Sequence, residues 1–596
     1  MNAENVENTG VPVAELIVRN ARITTLDPAL PAASALAVTG GRIIAIGTER
    51  DVERHRGPST RVLDGLNRRL VPGLNDSHTH VIRGGLQYLL ELRWDGVESL
   101  ADALSLLSAQ AARTPPGHWV RVVGGWSATQ FAERRLPTVA ELNRAAPDTP
   151  VFVLHLYQAA ILNRVALQAI GYDRDTPDPP GGQIVRDGDG VPTGMLIAAP
   201  NALILYSTLA RAPRLDPATQ ELSTRYFLRE LNRFGLTSVI DAAGGFQDYP
   251  DDYRTIERLA AAGELSLRVA YNLFPQQPGA EIADLTRWAD LVAPGDGDEW
   301  LRFNGAGENV VWSAADFENF RQPRPDLPTR MDTELDAAVR LLVERRWPFR
   351  LHATYNETIE RDLAVFERVD ADYGGILGAT RGGVRWWFDH AETVSRHSLD
   401  RIAALGGGVA VQDRMAFQGE YFLERYGRAA ALSAPPMRHI LERGIPLGLG
   451  TDATRVSSYH PWRAIHWAVT GRTVGGVGLY AEDNLLTRTE ALRAMTVGSA
   501  WFSGEQFDKG ILSVGRLADF AVLDRDYFTI PEQMIPAIEA DLTVVGGRIV
   551  HAAGEFTGLA PELPAIRPDW SPVTAFGGHR PHHLHRRPLP ADPCWW

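Results

Sequence analysis

The sequence predicts an α/β fold: a (β/α)8 TIM barrel, with a small β-sandwich domain formed from both termini and an inserted subdomain after strand one. Three observations predict it. Eight short apolar runs bounded by turn residues alternate with helical stretches, the rhythm of a parallel barrel. Hairpin-like segments at both ends share Gly-Gly-Arg-Ile, at 40–43 and again at 546–549. Between the first two apolar runs lies a stretch far too long for one crossover helix.

Residues 1–69 carry the N-terminal part of the sandwich, in β-rich runs beginning at Ala14 and Ala35. The barrel starts in 70–96, with a strand expected over Leu70–Leu74. Residues 97–220 read as the insertion. An insertion after a barrel strand lands on the catalytic face, so this one is expected to roof the site. The rest of the barrel occupies 221–505, with strands expected over Thr237–Asp241, Leu267–Leu273, Trp300–Asn304, Phe349–Ala353, Val384–Asp389, Gly408–Gln412 and Pro446–Gly450. Residues 506–556 return to the sandwich, including Ala518–Asp524 and the run from Leu542. The tail, 557–596, is rich in Pro, Arg and His. Its cluster of His579, His582, His583 and His585 offers adventitious metal binding, but an irregular surface arm is the simpler expectation.

Composition narrows the function classes. With 44% hydrophobic and 22% charged residues, the chain has an ordinary globular balance. No apolar run approaches the ~18 residues that span a bilayer, so no membrane role is expected. Met1 to Pro12 contain no basic segment followed by an apolar one, so no signal peptide is visible and a cytoplasmic location is expected. The only cysteine is Cys594, which removes disulfide frameworks and cysteine-based metal sites or nucleophiles. A net charge of −13, without a long basic run, argues against nucleic acid as a partner. The expected partner is a small-molecule substrate.

The chemistry is carried by strand ends. Asp76-Ser-His78-Thr-His80 places two imidazoles on one face, because strand side chains alternate with period 2. Phe349-Arg-Leu-His352 ends strand five on a histidine, and Trp386-Trp-Phe-Asp-His390-Ala-Glu392 does the same for strand six. Leu447-Gly-Leu-Gly-Thr-Asp452 puts a carboxylate after strand eight. In a barrel these ends converge on one mouth. Several His nitrogens and one carboxylate suit a hydrolytic zinc, iron or manganese centre.

With these motifs, and with Gly510-Ile-Leu-Ser-Val-Gly-Arg-Leu-Ala-Asp-Phe520, the chain resembles the amidohydrolase superfamily from about residue 14 to 556. Within it the chain looks like amidohydrolase family 3, the branch of YtcJ-like metal-dependent hydrolases. The resemblance implies His78, His80, His352 and His390 as metal ligands and Asp452 as both ligand and general base. It also makes a homodimer unsurprising. One departure concerns strand four. Many relatives carry a carboxylated lysine there, whereas this strand reads Trp300-Leu-Arg-Phe-Asn-Gly-Ala-Gly-Glu308, with Arg302 near the expected place. Arginine stays protonated and cannot ligate. Glu308 is the candidate substitute bridge. The expectation is therefore one firmly bound divalent ion, zinc before iron or manganese, held by His78, His80, His352 and Asp452. His390 would bind the ion or stabilise the oxyanion.

The implied reaction is hydrolysis of a carbon–nitrogen bond other than a peptide bond, of the N-substituted amide or formamide type. Hydroxide generated on the metal would attack, with Asp452 shuttling the proton. Trp126, Tyr355 and Trp386 are expected to give an aromatic pocket, with Trp387, Phe388, Trp462 and Trp467 beside them. Gln412, Arg414 and Arg455 follow strands seven and eight and are expected to bind substrate, with Asp413 also near the site. Two alternatives stand beside this reading. One is a lactone or ester hydrolase, or an aryl-acid lyase, on the same metal site; the other is a metal-free binding or regulatory protein on the barrel.

Overall fold

Eight strands, buried at every residue but Arg302, pair in sequence order into one parallel sheet, as strands covered on both faces do. They are Leu74–Thr79, Leu236–Asp241, Arg268–Leu273, Leu301–Ala306, Phe349–Ala353, Trp386–His390, Gly408–Gln412 and Leu447–Gly450. This computed structural model describes residues 11–579, apart from 180, 200–201, 318–319 and 380–381. The last and first strands meet at their C-terminal ends, where Asp452 N donates to His78 O and His80 N to Ala453 O, each at 2.8 Å. The expected (β/α)8 barrel is thus present.

Its first strand begins later than expected. Arg69–Pro72 lies in the sandwich, antiparallel to Phe520–Val522 and parallel to Arg22–Ile23. The barrel strand starts at Leu74. Gly73 is the switch: its N–H donates to Asp519 O, whereas the N–H of Leu74 donates to Gly235 O, both at 2.9 Å. A Cβ at residue 73 would stand 2.1 Å from Thr237 Oγ1, so the close crossing needs glycine. Apolarity cannot reveal this break, because both ladders bury the run. Strand six also starts later, at Trp386; Val384 makes only an isolated bridge to Leu377.

The sandwich has two sheets. One is entirely N-terminal, with Leu16–Arg19 between Ala35–Thr39 and Arg61–Asp64, and with Arg42–Gly47 at its edge. The other joins the N-terminal strands to Phe520–Leu523, Ala540–Val545 and Arg548–Ala552. Leu16, Val18, Leu36 and Val38 pack against Phe520, Val522, Leu542 and Val544 between them. The repeated Gly-Gly pairs are the two hairpin turns. Gly40, Gly41, Gly546 and Gly547 all have φ between 54° and 74°, which glycine adopts without steric cost.

The long segment after strand one forms a six-stranded sheet of its own, from Glu91–Leu92 to Pro192–Ala198. It therefore begins six residues or so ahead of 97. Trp94, Val122 and Trp126 pack on one face with helix Leu100–Ala111, and Phe152, Leu154 and Leu162 pack on the other. Of the tail, the described part lies against the same chain: Ser571 Oγ donates to Leu89 O at 2.6 Å, and buried His579 stacks edge-on to His460. His582, His583 and His585 lie outside the described residues. No described helix is long and apolar enough to cross a membrane.

Candidate metal centre

At the C-terminal mouth of the barrel, His78, His80, Glu308, His352, His390 and Asp452 are all buried and share one cluster. Two overlapping sets have ligand atoms close enough for an ion, His78–His80–Asp452 and His78–Glu308–His390. Asp452 Oδ1 lies 3.2 Å from His80 Nε2 and 3.5 Å from His78 Nε2. Glu308 Oε2 lies 3.5 Å from both His78 Nε2 and His390 Nε2, and 3.2 Å from His352 Nδ1. His352 Nδ1 is also 3.0 Å from His390 Nε2. His352 thus sits on the Glu308 side, rather than with Asp452 as the sequence expectation grouped it.

The two imidazoles of strand one are aimed by what their far nitrogens touch. His80 Nδ1 hydrogen-bonds the carbonyl of Ala243, whose own N–H donates to Asp241 at the end of strand two. His78 Nδ1 lies 3.1 Å from Asp389 Oδ1 and 2.6 Å from Arg350 Nη2, which turns Nε2 toward the cluster. That Nε2 has no hydrogen-bond partner among the described residues. Strand alternation would send His390 outward beside Trp386 and Phe388. A left-handed φ of 75° reorients it inward, a local strain that the surrounding packing sustains. Asp452 likewise has φ 53°. Asp76 ties strand one to strand eight, accepting from His78 N at 3.0 Å and Thr451 Oγ1 at 2.6 Å.

Electrostatics favour a cation here. Burial holds His80 down at about 4, and holds His78 and His390 well below the usual imidazole range, so all three present neutral lone pairs. Burial pushes Glu308 up, but His78, His352 and His390 outweigh it and keep the carboxyl well below its ordinary value. Burial raises Asp76 to about 7 against the bonds from Thr451 and His78. Neutral imidazoles, the anionic Glu308 and the orphaned His78 Nε2 together fit a divalent ion.

The other expected site residues separate. Gln412 ends strand seven, buried, and its amide has no partner among the described residues. Arg414 is held by Glu392, at 2.6 and 2.9 Å, and reaches within 4.0 Å of Asp452 Oδ2; it is an internal ion pair, not a free clamp. Tyr355 precedes helix Asn356–Asp372, with its ring near Phe320 and Arg324. Trp126 is core in the inserted sheet, donating to Leu154 O. Trp386 faces the helices, beside Phe366, and donates to Leu405 O. Both therefore leave the pocket. Arg302 points to Glu505, 3.6 Å away.

The aromatic wall is built by residues that sequence reading missed. A cavity with about 470 Å³ of open space touches Glu308 and is lined by Tyr157, Tyr206, Phe246, Phe274, Trp312 and Phe317. These come from the insertion and from loops after strands two to four, so no strand-end spacing flags them. Arg350 and Asp389 were also missed as orienting groups. Arg350 shares the period-2 face of His352, and Asp389 stands next to His390, so a signal existed for both.

Comparisons with known proteins agree with this architecture. A family model described as the amidohydrolase family matches residues 61–551. The chain is 29% identical over 527 residues to an N-substituted formamide deformylase of Arthrobacter pascens, covering 86% of this chain and 94% of that protein. It is 25% identical over 530 residues to the putative amidohydrolase YtcJ of Bacillus subtilis, covering 87% and 96%. A metal-dependent hydrolase from Pyrococcus horikoshii, of uncharacterized function, superposes with a TM-score of 0.62 at 22% identity, covering 87% of this chain and 99% of that one.

Proposed function

The chain belongs to the amidohydrolase family and is a hydrolase of carbon–nitrogen bonds other than peptide bonds, and from that premise we propose that it cleaves an N-substituted amide or formamide with a hydrophobic or aromatic substituent. The observation that carries this reading is a pair of His–carboxylate sets, one of which reaches the aromatic cavity through Glu308. The deformylase relative supports the bond type.

In this reading His78, His80 and Asp452 hold a divalent ion, and Glu308, with His390 and His352, offers an adjoining position. Zinc is the first candidate, and the same donors suit iron and manganese. A divalent ion supplies Lewis acidity, polarising the carbonyl and acidifying water. Asp452 accepts the proton of the attacking water and returns it to the leaving nitrogen, so the amine departs neutral. Where the adjoining position holds no ion, His390, beside Glu308, donates to the carbonyl oxygen as negative charge develops there. Arg414, locked on Glu392, places its positive charge within 4.0 Å of Asp452. A cytoplasmic homodimer completes the reading, tested by fractionation and by light scattering.

The experiment is elemental analysis of purified protein followed by a panel of formamides, larger amides, esters, lactones and aryl acids. We expect bound divalent metal and turnover of the formamides or amides. Turnover of esters or lactones alone would move the assignment to another bond. Asp452→Asn should lower kcat by roughly 10²–10⁴-fold with an unchanged circular dichroism spectrum; full activity in that variant would remove the proton shuttle.

A further inference from the structure

Beside the aromatic cavity lies a second one, with about 740 Å³ of open space, and the two share Arg83, Tyr206, Gly245 and Phe246. Its walls are cationic. Arg83, Arg121 and Arg455 all line it, and each is more than nine-tenths buried. They come from three parts of the chain: the short helix Val81–Gly85 after strand one, the inserted strand Val120–Val123, and the loop after strand eight.

These guanidiniums are poorly matched by the protein. Arg455 Nε and Nη1, Arg83 Nε and Nη2, and Arg121 Nε are buried with no hydrogen-bond partner among the described residues. Arg83 Nη1 donates only to the Gly245 carbonyl, at 3.3 Å, and Arg121 to the carbonyl of Pro213 and, at 3.5 Å, to Gln87. The buried carboxylate on this wall, Glu91, lies 3.2 Å from Arg93 and also faces Arg455 and Arg121, so one carboxylate is shared among three cations. Arg83 and Arg455 both approach the ring of Tyr206, each 5.4 Å from its centroid, which tethers the two without neutralising either. Burial, and then the like charge of Arg83, pull Arg455 below its ordinary value. Buried cations whose donors are unused carry a standing desolvation cost that a bound anion would offset.

We propose that Arg83, Arg121 and Arg455 form a carboxylate-binding subsite, so that the substrate is an N-substituted amide whose hydrophobic substituent ends in a carboxylate. This rests on the amidase reading above for its reacting end. The scissile group lies at Glu308 and the histidines, the apolar spacer runs past Tyr206 and Phe246, and the carboxylate sits among the three arginines. Arg83, at the junction, is where a bound molecule passes from apolar to cationic wall.

The test has a binding arm and a kinetic arm. In the first, phenylacetate and phenylacetamide are titrated calorimetrically into the purified protein, before and after chelation of divalent metal. We expect phenylacetate to bind more tightly than phenylacetamide in both states. Arg455→Gln should weaken that binding by roughly 10–100-fold, and Arg121→Gln, on a separate element, should weaken it independently if the first variant misfolds. Carboxylate binding that vanishes with the metal and ignores both arginines would overturn the proposal, because the anion would then sit on the ion. In the kinetic arm, an N-arylalkyl formamide is compared with its ring-carboxylated analogue. We expect the carboxylated one to have the higher kcat/KM, by an advantage that collapses in Arg455→Gln. Equal turnover of both would overturn the subsite while leaving the amidase reading intact. Arginine-dependent binding of phenylacetate with no turnover of any amide would do the reverse.

Discussion

At the scale of single residues, the centre depends on groups that never touch a reacting atom. Arg350 is fully buried and bonds Asp389 at 2.5 and 2.6 Å while contacting His78. Removing one partner of such a pair leaves an uncompensated buried charge. We expect Arg350→Met to cost about 3–5 kcal/mol in urea unfolding. It should also weaken metal binding by about 10–100-fold, because His78 loses part of its orientation. Asp362, on helix Asn356–Asp372, presents a different case: both carboxylate oxygens are buried without a hydrogen-bond partner among the described residues. Burial, and then Asp316, raise it well above the ordinary value of 3.8. A raised folded-state pKa makes the carboxyl costly as pH climbs above the unfolded value, and costless below it. Asp362→Asn should therefore gain thermal stability relative to the parent at pH 7.5, and the gain should shrink at pH 4. A gain that is the same at both pH values would show that the carboxyl is solvated in the fold.

At the scale of elements, one residue sets how sandwich and barrel meet. The chain passes from one sheet to the other at Gly73, against Thr237. We expect Gly73→Ala to destabilise the protein by about 1–3 kcal/mol through overpacking, read as a lower urea midpoint. An unchanged midpoint would mean that strand two shifts freely there, contrary to its buried ladder with strand one. The hairpin turns were legible because Gly-Gly has few other uses between β-rich runs. The orientation of Trp126 and Trp386 was not. Trp386 lies on a strongly apolar strand buried on both faces and Trp126 in the turn just after one, and there the inward side has no compositional mark.

At the scale of the whole molecule, the cluster draws on strands one, five and six and on the segments after strands four and eight. Metal binding therefore ties together parts of the chain that the sequence holds far apart. A ligand that binds only the folded state stabilises it by mass action, about 2.7 kcal/mol at a hundredfold excess over Kd. Chelation should lower the melting temperature, and stoichiometric zinc, iron or manganese should restore it. A melting curve indifferent to chelator would mean that the imidazoles and carboxylates balance one another without an ion.

The sequence by itself determined the fold class and the cluster. Period-2 runs ending in His or Asp have few readings other than barrel strands, and barrel geometry then brings their ends together. It also singled out Glu308, because strand four lacks a lysine. What only the tertiary structure decided is how that cluster divides into two sets and which walls surround it. Those depend on left-handed turns at His390 and Asp452, and on side chains from an inserted sheet and loops whose positions follow from packing between distant segments. Local sequence encodes the direction of a side chain along its own strand. It does not encode which foreign surface that side chain will meet.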